Sequence, residues 1–370
     1  MRYILILLFL LRLVNIQGQN EEADWPLFHG KSDLTGKSGW ELPSSPSLIW
    51  SLPTGVRTKS SPVISGGTIY FGNEKGSITA VGTDGKIKWN FDAASPVDAP
   101  PMVYGKKVIF GSNSGVLHAI DRISGKLLWS YATDNQITGS ANVWTTGNKS
   151  GIIVGSYDYF LHCVDPETGK LLWKVETENY VNGTPSISGG KIVFGGCDGI
   201  IRIVEPLTGR ETDTIDIGVY IASSPALSGG LAYFGDYNGT KYCLNLNSGK
   251  VVWKIPTKEE SGAILGIPAI GSSAVVLGSE DKYIYCFGQK DGKLKWRYRT
   301  NGRVISSAVI TDKKVLATSM DGYIYLLSLA DGKKIWSFNA GSPVSSSPAV
   351  VNGRFYILTE DGRLLAFGDK

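Results

Sequence analysis

The sequence predicts an all-β fold, an eight-bladed β-propeller of four-stranded antiparallel blades. Two observations carry this. Tryptophans recur at 50, 89, 129, 173, 253, 296 and 336, and Asp213 stands midway in the one double-length interval, which gives eight positions 39 to 44 residues apart. A Ser/Thr-Gly-Lys/Arg or Asp-Gly-Lys turn precedes most of these positions by four residues, as in Ser124-Gly125-Lys126 before Trp129 and Thr208-Gly209-Arg210 before Asp213. A self-similar period of about 40–45 residues with several short strands per unit is the signature of a propeller. The units are too short and too glycine-rich for the 3.6-residue apolar spacing of helical repeats.

Each unit divides into four strands. In the first, Ser61 to Ile64 meets a Gly66-Gly67 turn, and Thr68 to Phe71 is a β-branched and aromatic run. Asn73 to Gly76 turns into Ser77 to Val81, and Asp84-Gly85 turns into Lys86 to Phe91. Glycine accepts the positive φ that tight hairpins need. Period-two alternation puts Leu127, Trp129 and Tyr131 on one face of a fourth strand, with the indole as the wedge between neighbouring sheets.

The ends predict closure. After Trp336 the chain supplies three strands (Ser347 to Val351, Arg354 to Leu358, Arg363 to Phe367), and Ser47 to Ser51 carries Trp50 with no three strands before it. The N-terminal strand therefore completes the last blade and removes the exposed edges of an open array.

The domain plan is a signal peptide at residues 1–18, an N-terminal strap at 19–45 and one propeller at 46–370. Arg2 precedes an apolar run from Tyr3 to Leu11, too short to span a bilayer, and Gln17-Gly18-Gln19 offers a small-residue cleavage point. The expected location is therefore periplasmic, cell-surface or secreted, with no transmembrane span in the mature chain. The first cysteine is Cys163, so no lipid-accepting cysteine follows the cleavage point. The aromatic stretch from Asp24 to Gly30, followed by Thr35-Gly36, reads as a strap across one face of the ring or as a plug in its channel.

Charge excludes one class of partner. Without Arg2 and Arg12 the chain keeps 35 basic and 33 acidic residues, with no Lys/Arg cluster to attract nucleic acid. Cys163, Cys243 and Cys286 fall where other units have Ala80, Ala119 and Ala366, a place for a small apolar side chain. Equivalent positions in different blades are too far apart for disulfides.

The candidate sites lie where the inter-blade loops meet the axis. The second residue of each loop gives Lys59, Asp98, Thr138, Asn182, Ala222, Leu265, Ile305 and Ser345. Lys59, Asp98 and Asn182 are the polar channel-mouth residues, with Lys59 and Asp98 expected to pair. This is a poor calcium site, because calcium takes six to eight oxygens. Val219, Tyr220, Ile221, Ile264, Leu265, Val304 and Ile305 read either as an axial plug or as an exposed apolar patch for a partner segment. His118 and His162 occupy matching third-strand positions without a third metal ligand. No catalytic set emerges from three scattered histidines, and Lys258, Glu259 and Glu260 read as a solvated loop.

The Ala/Cys-x-Asp/Asn-x-x-Ser/Thr-Gly-Lys-x-x-Trp unit resembles the tryptophan-docking repeat of the pyrroloquinoline-quinone-like β-propeller superfamily. The Trp25-Pro26-x-Phe28 to Thr35-Gly36 opening is similar to its exported bacterial members. Within that superfamily the chain resembles the family of the outer-membrane protein assembly lipoprotein. The resemblance implies a non-catalytic protein-binding scaffold of envelope protein assembly, with a client protein or assembly complex as partner and no cofactor. The alternatives are an oxidoreductase that uses the quinone with calcium, and a carbohydrate-binding or glycan-processing accessory. Fold alone does not choose among them.

Glu211 and Asp213 replace the Leu/Trp pair of other units on an outer strand, where acids face water. Asp213→Trp is expected to leave stability unchanged or raise it, as read from the thermal unfolding midpoint. A large loss would mean that the acid has a specific partner.

Overall fold

A computed structural model describes residues 24–257 and 262–369. The signal-peptide reading and Lys258, Glu259 and Glu260 lie outside them. Seven antiparallel sheets of four consecutive strands follow one another along the chain and an eighth joins its two ends, as the repeat predicts. Blade 1 is Val63–Ser65, Thr68–Gly72, Ser77–Gly82 and Ile87–Asp92. Blades 2 to 7 repeat it through Asn339. Blade 8 takes Ala349–Val351, Arg354–Leu358 and Arg363–Gly368 from the C-terminal end and Ser47–Pro53 from the N-terminal end. Ser47 pairs with Gly368 and Pro53 with Arg363, which closes the ring.

The indoles hold the blades together. Six of the seven, all but Trp336, lie over the turn glycine before the next blade's fourth strand and donate their Nε1–H to a carbonyl of the same turn, whereas Trp336 packs edge-on against Phe355 and Phe367 of blade 8. Trp129 reaches Pro166 O at 3.0 Å, Trp173 reaches Pro206 O at 2.9 Å and Trp296 reaches Leu329 O at 2.9 Å. Trp50, Trp89 and Trp253 do the same to Thr83, Arg122 and Gln289. The glycine is obligatory here: at Gly169 (φ 67°) a Cβ would stand 2.6 Å from the Trp129 ring. Opposite each indole in the third strand sits a small residue, Ala80, Ala119, Cys163, Cys243, Cys286 or Ala366, with Leu326 facing Trp336 as the exception. All four cysteines are free thiols. Burial pushes the Cys163 thiol up to about 12, so it packs as a small apolar group.

The structure corrects the period-two reading of the fourth strand. Register slips between Leu127 and Trp129, where Leu127 faces Ile120 and Trp129 faces the adjacent Ala119. The resulting bulge turns Leu127 outward, 51% exposed, while Trp129 is 8% exposed. Fourth strands in all eight blades carry the same slip.

The segment before the ring runs around the axis along the innermost strands. Trp25 exchanges backbone hydrogen bonds with Ile64 of blade 1, and Pro26 O accepts from Val103 N of blade 2. Ser32 O accepts from Ile187 N, Asp33 O from Leu227 N, Thr35 O from Ile270 N and Gly36 O from Ile310 N, in blades 4 to 7. The Ser32 hydroxyl donates to Val143 O of blade 3. Lys37–Ser38 then adds a short parallel strand to blade 7. Innermost strands leave one polar edge toward the axis, and buried backbone groups need partners. This segment supplies them in circular order. Inside it, His29 is buried and holds Leu34 O and Ala308 O, while Leu27 and Leu34 join the core of the blades around them.

Trp129→Ala should cost roughly 3–5 kcal/mol through the cavity it leaves, measured by denaturant unfolding. Trp129→Phe, which loses the bond to Pro166 O but keeps most of the packing, should cost markedly less.

Candidate functional site: the loop mouth of the channel

The loops that carry the chain from one blade to the next gather at the channel end opposite the first-strand turns. Their first residues point inward between strands. Ile221, Ile264 and Val304 are at most 1% exposed and occupy the space above Gly195, Gly235 and Gly278, which end second strands. A Cβ on Gly235 would lie 2.3 Å from Ile264 Cβ. These three residues of the apolar reading are therefore interior packing. Leu265 and Ile305, one residue further on, are half-buried at the mouth, and Tyr220 is 56% exposed.

The polar half is arranged differently from the ion pair that the sequence suggests. Lys59 is exposed and its Nζ lies 3.6 Å from Glu74 of its own blade. Asp98 instead accepts a hydrogen bond from Asn113 Nδ2 at 3.0 Å. Both are short-range choices: Glu74 and Asn113 sit in the turns after the second strands, directly beside the loops. Asp98 Oδ1, Asn113 Oδ1, Thr138 Oγ1 and Asn182 Oδ1 are shielded from water without a hydrogen-bond partner among the described residues.

A calcium–quinone pair does not fit this donor set. Asp98 is the single carboxylate of the inner ring, whose remaining positions are Lys59, Thr138, Asn182, Ala222, Leu265, Ile305 and Ser345. The five side-chain oxygens of Asp98, Thr138, Asn182 and Ser345, with one charge among them, fall short of the six to eight that calcium takes. No group of three His, Cys, Asp or Glu stands together among the described residues.

Around the mouth lies an aromatic arc that sequence reading missed. Tyr157 and Tyr180 stack with centroids 4.5 Å apart, and Tyr159 lies 5.3 Å from Tyr180. Tyr220 and Tyr237 continue it, and Tyr237 N donates to Tyr220 O. Charged pairs take over on the far side, Arg303 with Glu280 and Arg57 with Glu360. The available signal was the turn position after each second strand, which reads Tyr157 and Tyr237 in two blades and Glu74, Glu280 and Glu360 in others.

The two third-strand histidines have structural roles, and a spacing explains both. An Asp four residues before this position braces it from the preceding turn. Asp158 holds His162, Asp198 holds Arg202, Asp281 holds Tyr285 and Asp321 holds Tyr325. His162 is completed by Tyr131, whose hydroxyl lies 2.9 Å from Nδ1. Arg202 also pairs with Glu211 at 3.2 Å, so that acid has a partner besides water. In blade 2 the bracing position is Ser114, and both nitrogens of His118 are shielded without a hydrogen bond among the described residues. Its ring stacks on Phe110 instead. Burial lowers the pKa of His118, and burial likewise lowers that of His162 against the opposing pull of Asp158.

Fold and mouth together define a tryptophan-docked propeller of the pyrroloquinoline-quinone-like type with a loop face that differs from blade to blade. The model of the outer membrane protein assembly factor BamB matches residues 42–151, 139–212, 197–308 and 300–370, and the chain belongs to that family. A search of curated proteins found no match. Among solved structures, BamB from Moraxella catarrhalis is 18% identical, with a TM-score of 0.73 over 88% of this chain and 98% of its own. Quinohemoprotein alcohol dehydrogenase from Comamonas testosteroni is 14% identical, with a TM-score of 0.80 over 94% of this chain and 80% of its own. A europium-containing methanol dehydrogenase is 14% identical, with a TM-score of 0.81 over 95% and 99%. At these identities the likeness is one of fold, and it extends to both kinds of protein.

Both histidines bind protons less readily folded than unfolded. Their contribution to stability is therefore present above the ordinary histidine value of about 6.5 and is lost as pH falls below it. Ser114→Asp should raise the His118 pKa, read by NMR titration, and should lessen the loss of stability between neutral and mildly acidic pH.

Proposed function

We propose that this protein is a non-catalytic, exported scaffold that binds a protein partner during envelope protein assembly. The observation that carries the reading is the family match along the whole propeller. It is supported by a mouth whose apolar half (Tyr220, Leu265 and Ile305) meets water beside exposed tyrosines. Aromatic side chains with one apolar body and one polar edge are the usual anchors of protein interfaces. A partner segment seated across Leu265 and Ile305 would bury apolar surface there, with Tyr220 at its margin. Ile221, Ile264 and Val304 act behind it by fixing the loops. Lys59, Asp98 and Asn182 form the polar border of the same opening. Export to the periplasm or cell surface is part of the proposal, in keeping with the role named for the family. No helix among the described residues is long and apolar enough to cross a membrane.

The quinone-dependent alternative shares the fold and lacks the calcium donors. The carbohydrate alternative has the tyrosine arc in its favour, and a glycan array tests it directly.

Leu265→Asp should leave thermal unfolding nearly unchanged and fail to restore normal outer-membrane protein levels in cells lacking the wild-type gene. A photocrosslinker at Leu265 should trap a client that the same group at Ile123, on the outer rim, does not. Loss of folding in Leu265→Asp would favour an axial plug. Saturable uptake of the quinone with calcium, accompanied by alcohol-dependent dye reduction, would overturn the non-catalytic reading.

A further inference from the structure

Charge that balances along the chain does not balance in space. Antiparallel order places the first-to-second and third-to-fourth hairpins at one end of the ring and the mouth at the other. The turns after second strands, at the mouth, hold an acid in every blade but the second, opposed by Lys75 and Lys282. The first-to-second hairpins hold Lys106-Lys107, Lys149, Lys191, Lys313-Lys314 and Arg354 with one acid, Asp312. A Lys or Arg also follows the glycine of each third-to-fourth hairpin, as at Lys126 and Lys170. Exposed large apolar side chains divide the same way, with tyrosines at the mouth and Leu, Ile and Val at the hairpin end. The docked indoles hold the aliphatic ones of blades 1 to 3 in one band. Trp89 follows Ile87 by two residues and donates to Arg122 O at 3.1 Å, beside Ile123, which is 75% exposed. Trp129 follows Leu127 and Leu128 and donates to Pro166 O, in the hairpin that leads into Leu171 and Leu172. Trp173 follows those two and donates to Pro206 O, beside Leu207. Blade 4 ends the band with Glu211 and Asp213. Lys106, Lys126, Lys149 and Lys170 are exposed along the band, and Lys107 pairs with Glu167. Asp121 and Asp165 are committed to their own hairpins, where each accepts from the backbone N–H and the hydroxyl of Ser124 or Thr168.

We propose that the hairpin end of blades 1 to 3 docks the ring onto a bilayer surface rich in anionic phospholipid. Composition separates this partner from a protein. Lysine and leucine contribute little at protein interfaces, whereas tyrosine, found at the mouth, is a common anchor there. Contact with a lipid surface uses aliphatic side chains that enter the boundary and basic ones that meet the headgroups. Geometry agrees. A strand rises about 3.3 Å per residue, so Leu127 and Leu128 stand within about 7 Å of Lys126 along the strand. Apolar side chains enter the boundary between headgroups and acyl chains by roughly 5–10 Å, so the leucines reach it while the lysine ammoniums meet the phosphates. Docking by this end turns the mouth away from the bilayer. The inference does not rest on the function proposed for the mouth.

The test is flotation of the full mature chain with vesicles of phosphatidylcholine, alone or with about a quarter phosphatidylglycerol. Binding should need the anionic lipid and fall steeply as salt is raised above physiological strength. Lys126→Glu with Lys170→Glu should weaken it by at least about tenfold. Lys106→Glu with Lys149→Glu should do the same and serves if the first pair fails to fold. Lys75→Glu with Lys282→Glu, the same change of charge at the mouth end, should bind as the parent does. Leu127→Ser with Leu171→Ser should weaken binding by at least about fivefold through lost aliphatic burial. Equal flotation with both kinds of vesicle, or flotation with neither, overturns the proposal. So do lysine reversals that act alike at the two ends, and unaltered binding in the leucine pair. Binding of a short DNA duplex as tight as that of the anionic vesicles would also overturn it, by making the face a general polyanion site.

Discussion

Docking of an indole onto the next blade's turn glycine is the interaction on which this ring depends. It joins neighbouring sheets by an apolar contact and a hydrogen bond at once, so each blade is oriented as well as attached. Its demands spread outward. The third strand must offer a small residue opposite the ring, met by alanine or cysteine in six blades. The fourth strand bulges just before this position in every blade, blade 4 included, which leaves apolar side chains such as Leu127 and Leu128 facing water. Where the indole is missing, the opposing residue is Ile203 and a lysine completes the hydrogen bond.

A second constraint acts at the axis. Eight innermost strands turn one polar edge toward the centre, and buried backbone groups need partners. The N-terminal segment resolves this by running its carbonyls past successive blades before entering blade 8 as its outer strand. The N-terminal stretch therefore both lines the innermost strands and closes the ring. The other end carries the inter-blade loops, which differ from blade to blade.

That other end shows how a repeat acquires function. The buried loop residue is nearly uniform across blades because it must fill the space over a glycine. The next residue is unconstrained by packing and varies from lysine to isoleucine. The outcome is a mouth with a charged side, a polar sector whose oxygens lack partners, and an apolar sector flanked by tyrosines. The proposed scaffold role rests on the family and on this asymmetry, because quinone dehydrogenases share the same ring.

The sequence by itself determined the fold: blade number, strand order, ring closure and the positions of the wedging indoles all follow from a forty-residue period, because each repeat must satisfy the same packing rule. It also placed His118, His162, Cys163, Cys243 and Cys286 on third strands. Only the tertiary structure decided which loop residues face the mouth, since Ile264 and Leu265 are adjacent, equally apolar and oppositely directed. It gave Lys59 to Glu74 and Asp98 to Asn113, and it gathered the tyrosine arc. The physical reason is that a period records contacts every blade makes alike, whereas the mouth and the joint between blades 4 and 5 are made of contacts that differ from blade to blade.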